Sequence, residues 1–122
     1  MRRIRIKAGA VTVSGRLNDS ETATAVWNAL PLRSSVNTWG DEIYFPIPVS
    51  VGAENPRDVV DLGDIAYWPP GKSLCVFFGP TPASRGKEIR PASSVNIIGQ
   101  IEGDPRELRN VASGAPVEVE RA

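Results

Sequence analysis

Histidine is absent from this sequence, so any chemistry falls to carboxylates, arginines, lysines, tyrosines and a single cysteine. That absence excludes Ser-His-Asp and Cys-His nucleophile systems, a histidine general base and the commonest transition-metal ligand. Asp58, Asp61 and Asp64 recur every third residue and could in principle gather a hard cation such as calcium. In a stretch so rich in turn residues they read more simply as solvated or capping carboxylates, and no metal is expected. Asp41 and Glu42 are adjacent where a strand pattern begins, so their side chains point to opposite faces and form no carboxylate dyad on their own. Cys75, inside the apolar run "SLCVFFG", reads as a small buried hydrophobe rather than a reactive thiol. "GPTPASRGKE" contains a Gly-Lys pair, but six residues separate its glycines, Glu88 stands where a P-loop needs a hydroxyl, and Pro80 and Pro82 lack amides to cradle phosphate. No cofactor is expected.

What remains is recognition by shape and aromatic surface. Trp39 and Tyr44 sit beside Gly40, Asp41 and Pro46 in loop or edge positions, where a large ring more often serves binding than core filling. A second aromatic concentration, "DIAYWPPGKSLCVFFGPTPAS" at residues 64–84, reads as core strands with proline-stiffened ends.

The elements that must position these residues fit one domain, 1–122, since 122 residues suffice to bury a single core. The 14 basic and 14 acidic residues cancel, which argues against nucleic acid or an anionic membrane as partner. "MRRIRIKAGAV" lacks the apolar centre of a signal peptide, and no apolar run approaches the roughly 18 residues that cross a bilayer. A cytoplasmic location is expected.

Period-two alternation predicts a hairpin over 2–7 and 11–17, with the basic side chains of residues 2–7 outward, as a small anion patch or, more simply, as protection of a strand edge. Ala23, Val26, Trp27 and Leu30 then follow helical spacing. Asn18, Asp19 or Ser20 is placed to cap that helix, and Pro31 ends it. In "DEIYFPIPVSV", Ile43, Phe45 and Ile47 face one way and Tyr44, Pro46 and Pro48 the other, and the prolines mark an edge strand or the border of an opening. "IAYWPP" and "SLCVFFG" read as strands joined at Pro69–Gly71, the second buried on both faces. "SVNIIGQIEG" reads as a buried strand, "DPRELRNV" as a helical turn with an Asp104/Glu107 capping box, and "APVEVER" as the last strand. Seven or eight short strands with one helix and one helical turn describe a mainly β fold, a closed or nearly closed barrel, with a sandwich as the alternative.

That order of elements is similar to the cyclophilin barrel. "WGDEIYFPIP" at 39–48, "LGDIAYWPPGKSLCVFFGPTP" at 62–82 and "VNIIGQIEGD" at 95–104 resemble the signature segments of small prokaryotic cyclophilin-like proteins of unassigned function, over nearly the whole chain. The resemblance implies a cyclophilin-like β-barrel. Cyclophilins proper isomerise Xaa-Pro bonds with an arginine, a glutamine, pocket aromatics, a tryptophan and a histidine. Here "CVFFG" resembles the strand carrying the pocket phenylalanine, which would give that role to Phe78. Val76 stands where the glutamine is expected, however, and Arg33 is a candidate donor only by its place after the helix.

Prolyl isomerisation needs no proton transfer, only an apolar pocket and a cationic donor against a barrier of about 18–20 kcal/mol. The leading expectation is nevertheless a cleft that binds a small molecule or extended peptide without established catalysis. Its candidate lining is Arg33, Trp39, Tyr44, Phe45, Phe78, Thr81 and Gln100, although periodicity alone explains Phe45 and Phe78 as core. A weak peptidyl-prolyl isomerase is the second reading, and a structural protein that forms homo-oligomers through exposed aromatics the third.

Overall fold

Alternation of apolar and polar residues builds the first hairpin as expected. In the computed structural model, which describes residues 2–122, Arg2–Ala8 (β1) pairs antiparallel with Val11–Leu17 (β2). Ile4, Ile6 and Ala8 are fully buried, whereas Arg3, Arg5 and Lys7 turn outward to glutamates on other strands: Arg3 to Glu102 at 3.4 Å, Arg5 and Lys7 to Glu120 at 2.9 and 3.4 Å. These basic residues therefore make cross-strand ion pairs. They protect no edge, because β1 lies between β2 and the last strand.

Glu21–Ala29 forms the helix (α1), capped by the Ser20 hydroxyl, which accepts from the Ala23 amide at 3.1 Å. The next free amides, of Glu21 and Thr22, donate to the Glu54 carboxylate at 3.0 and 2.9 Å, so a distant loop completes the cap. Thr22, Ala23 and Val26 are buried, while Trp27 lies at the margin beneath the Arg121 guanidinium, 4.4 Å from its ring centroid.

Seven further strands follow: Leu32–Ser35 (β3), Asn37–Thr38 (β4), Glu42–Pro46 (β5), Asp64–Trp68 (β6), Ser73–Phe77 (β7), Asn96–Glu102 (β8) and Pro116–Arg121 (β9). They form one antiparallel sheet in the order β3-β9-β1-β2-β8-β6-β7-β5-β4. The count exceeds seven or eight because β3 and β4 are too short to show a period. They also close the sheet. Its two edges are consecutive pieces of one segment separated only by buried Val36, and Ser34 Oγ donates to the Pro46 carbonyl at 2.7 Å across the remaining gap. The result is a nearly closed barrel, with the proline-bearing end of β5 at the gap as its missing amides require.

Ile43, Phe45, Ile65, Tyr67, Leu74, Val76, Phe78 and Ile98 fill the interior. The Tyr67 hydroxyl is satisfied there by the Val49 carbonyl at 2.5 Å. On the outer face of β5, β6 and β7 a second, smaller core gathers Val60, Ala66, Cys75, Phe77 and Val95 under the segment between β7 and β8. This explains why β7 is buried on both faces. The helical turn at Pro105–Asn110 is present, but the Asp104 carboxylate accepts from the Arg106 amide and its Nε, both at 3.0 Å, in place of the Asp104/Glu107 box. Among the described residues, no helix is long and apolar enough to cross a membrane.

Candidate functional site

The outer face of β5 and β7 carries a row of side chains set by the pairing register: Glu42 stands opposite Phe77, and Tyr44 opposite Cys75. Between them and the covering segment lies a cleft of about 190 Å³, lined by Trp39, Glu42, Tyr44, Trp68, Cys75, Pro91, Ala92 and Val95. Strands supply its floor, whose geometry is fixed by backbone pairing.

Two of its walls are pinned. Trp68 packs edge-on against Tyr44, with ring centroids 6.5 Å apart at 74°, and its indole Nε1 donates to Ser93 Oγ at 2.7 Å, tying the ring to the covering segment. Trp39 precedes a tight turn in which Gly40 adopts φ +60° and lies against Pro80, Thr81 and Pro82. A Cβ there would come within 2.8 Å of Pro82 and 2.9 Å of Thr81 Cα. The Asp41 amide donates to the Pro80 carbonyl and the Phe78 amide to the Asp41 carbonyl, both at 2.9 Å, closing this corner. Thr81 holds the covering segment itself: its amide donates to Ser84 Oγ at 2.9 Å and its hydroxyl to the Arg90 carbonyl.

The polar group in the cleft is Glu42, only 5 % exposed. Burial pushes its carboxyl up to about 7, an effect moderated by the neighbouring Cys75 thiol. Cys75 is itself pushed well above the ordinary thiol value, first by burial and then by the adjacent Glu42. The pair therefore keeps its thiol protonated, while the carboxyl changes charge near neutrality. A buried carboxyl of this kind, in a concave apolar site, is a functional-site signature.

Of the residues singled out in the sequence, the cleft brings together Trp39 and Tyr44. Phe45 and Phe78 point the other way, into the barrel interior, because alternation places them on the face opposite Tyr44. Arg33 lies on β3, 83 % exposed and paired with Glu118 at 3.5 Å, away from the cleft lining. Gln100 is on β8, where it donates to Asp64 at 3.3 Å, and Thr81 is a structural tie beside the cleft. Sequence reasoning passed over Glu42, Trp68 and Cys75. The signal for Glu42 was present, since it stands two residues before Tyr44 and so shares its face. Asp64, in the spaced trio, accepts from the Asp61 amide at 2.8 Å, and Asp58 accepts from Ser94 Oγ at 2.6 Å.

A nearly closed antiparallel barrel with one covering helix is a barrel of the cyclophilin-like class. The family profile described as Cyclophilin-like matches residues 2–120, and the chain belongs to that family. Among solved structures, a hypothetical protein of Archaeoglobus fulgidus, determined in solution, is similar to it at 49 % identity and a TM-score of 0.84, over 99 % of this chain and 95 % of that one. No curated protein matches it.

Proposed function

We propose that the protein binds a small molecule in the cleft between the outer face of β5–β7 and the covering segment. One observation carries this reading: three aromatic rings, Trp39, Tyr44 and Trp68, converge with the buried Glu42 carboxyl on a single cavity. Aromatic walls supply contact area and one polar group fixes orientation, the usual division of labour in small-ligand sites. The cleft is smaller than the roughly 300–1,000 Å³ of drug-sized pockets, which favours a compact ligand or a single side chain of a peptide.

The geometry gives less support to prolyl isomerisation. A cationic donor must face the amide nitrogen as resonance is lost, and among the described residues the cleft lining is free of arginine and lysine. An interface built on exposed aromatics is likewise less favoured, since Leu62 is the large apolar side chain most exposed among the described residues and it lies outside the cleft.

The test is a fragment screen, supplemented with short Xaa-Pro peptides, against labelled wild-type protein and Trp39→Ala. Binding that perturbs residues 42–44, 75 and 91–95 and is lost in the folded variant supports the reading. Hits that map elsewhere, or bind Trp39→Ala equally well, would overturn it.

A further inference from the structure

We propose that the cleft is a receptor for a small organic ammonium ion, held by the Trp39, Tyr44 and Trp68 rings and by the Glu42 carboxylate. The inference rests on the reading of this cleft as a binding site and names the class of ligand it takes.

Aromatic faces carry negative electrostatic potential, and a cation surrounded by several of them gains most where water is excluded. Here the rings come from three places in the chain, β5, β6 and the turn before β5. Trp68 is fixed by Ser93 and by its edge contact with Tyr44, and Trp39 by the Gly40 turn. The rest of the lining is Pro91, Ala92, Val95 and the Cys75 thiol, so no hydrogen-bonding array competes with the rings for a polar, neutral ligand.

Glu42 supplies the second argument. A carboxyl 5 % exposed is ordinarily paired with arginine, lysine or several donors. Among the described residues, no ion pair reaches Glu42, and its polar neighbour is a thiol. Other charges near this end of the sheet are already engaged. Asp41 pairs with Arg109 at 3.5 Å, Arg90 with Glu88 at 3.1 Å, and Asp64, separated from Glu42 by Phe77, bonds Gln100 and the Asp61 amide. The cleft thus holds an acidic group without its cation, and a ligand bearing positive charge would complete it. A quaternary or methylated ammonium suits the site better than a primary amine, because its methyl groups contact rings without leaving N–H donors unpaired.

Binding and ionisation are then linked. The titratable groups facing Glu42 are the Cys75 thiol from β7 and the Tyr44 phenol from β5, and the covering segment contributes Pro91, Ala92 and Val95 to the lining. With a carboxyl titrating at about 7, a permanent cation binds the ionised fraction and its affinity rises about tenfold from pH 6 to pH 8 before levelling.

The experiment is an NMR titration of the labelled protein with choline and with 3,3-dimethyl-1-butanol, its uncharged isostere, at pH 6 and pH 8. The proposal expects choline to shift the indole signals of Trp39 and Trp68 at least about tenfold more tightly than the alcohol. It also expects Glu42→Gln to weaken choline binding at pH 8 and to abolish its pH dependence, leaving only the smaller preference the rings supply. Equal binding of the two probes would overturn the ammonium assignment and leave the small-molecule cleft standing. Choline failing to bind, or binding Glu42→Gln equally well, would overturn it too. Fragment hits in the cleft that vanish in Trp39→Ala would still support the broader reading, whereas no cleft hits at all would remove both.

Discussion

The Glu42 carboxyl and the Cys75 thiol are neighbours on the outer face of two paired strands: the carboxyl adds to the cost of ionising the thiol, whereas the thiol eases ionisation of the carboxyl that burial opposes. Register sets the relationship: Glu42 lies opposite Phe77 and Cys75 opposite Tyr44, so the two polar groups are diagonal to one another beneath the aromatic walls. A buried acid that titrates near neutrality leaves a trace in stability as well as in binding.

Glu42→Gln should flatten that trace. The folded carboxyl titrates at about 7 against 4.5 ordinarily, so between these values the native state holds more protons than the unfolded chain. Stability is therefore lost as pH rises through this window and is level above it. The stability of Glu42→Gln relative to wild type should grow by about 2–3 kcal/mol from pH 5 to pH 8. Asp64, also raised by burial, is common to both proteins and cancels in the comparison. Urea unfolding at the two pH values measures the difference, and parallel pH profiles would contradict the assignment.

Cys75 should be inert in the folded protein. Burial and the adjacent carboxyl both disfavour its thiolate, which is the nucleophilic form. Iodoacetamide at pH 8, followed by mass spectrometry, should label it at the rate of unfolding, with full labelling in denaturant. Rapid native labelling would mean that the thiol is reached and ionised in the cleft.

Gly40→Ala should damage the cleft through its rim. A side chain at φ +60° costs about 1–2 kcal/mol, and the added Cβ also meets backbone at Thr81 and Pro80, which cannot swing away as a flexible side chain could. Thermal unfolding should show a loss of at least that size, with the largest amide shifts at residues 39–42 and 79–82. Wild-type stability would show that the turn adapts freely.

Asn96→Ala should cost more than a surface change, on the order of 2–4 kcal/mol. Asn96 is 1 % exposed; its amide donates to Thr22 Oγ1 at 3.1 Å and to the Gly52 carbonyl at 2.9 Å, and its oxygen accepts from the Glu54 amide at 2.8 Å. Since Glu54 in turn caps α1, the helix should loosen first. Hydrogen exchange at Glu21 and Thr22 reads this directly, and unchanged protection there would argue that the network is redundant.

The barrel was legible because alternation is a local signal. Ile4 and Ile6, Ile43 and Phe45, Val117 and Val119 each disclose an inner face within a few residues, and Ser20 and Pro31 bracket the helix. Closure was not, since it depends on β3 and β4, which are too short to carry a pattern and matter only through their partners, 81–87 positions away in β9 and 5–7 positions away in β5. The cleft was half legible. Trp39 and Tyr44 stood out as large rings near turns, yet Glu42 shares the Tyr44 face, and only its burial under Pro91–Val95 gives it chemical interest. Arg33 was placed by its position after the helix, and chain position cannot say which edge of a closed sheet a residue occupies.

The three tryptophans offer the most direct measurement. Trp39 and Trp68 line the cleft, while Trp27 is stacked beneath Arg121 outside it. In a fragment titration followed through the three indole N–H signals, the account predicts saturable shifts of Trp39 and Trp68 with Trp27 stationary. Shifts confined to Trp27, or hits that leave all three signals in place, would contradict it.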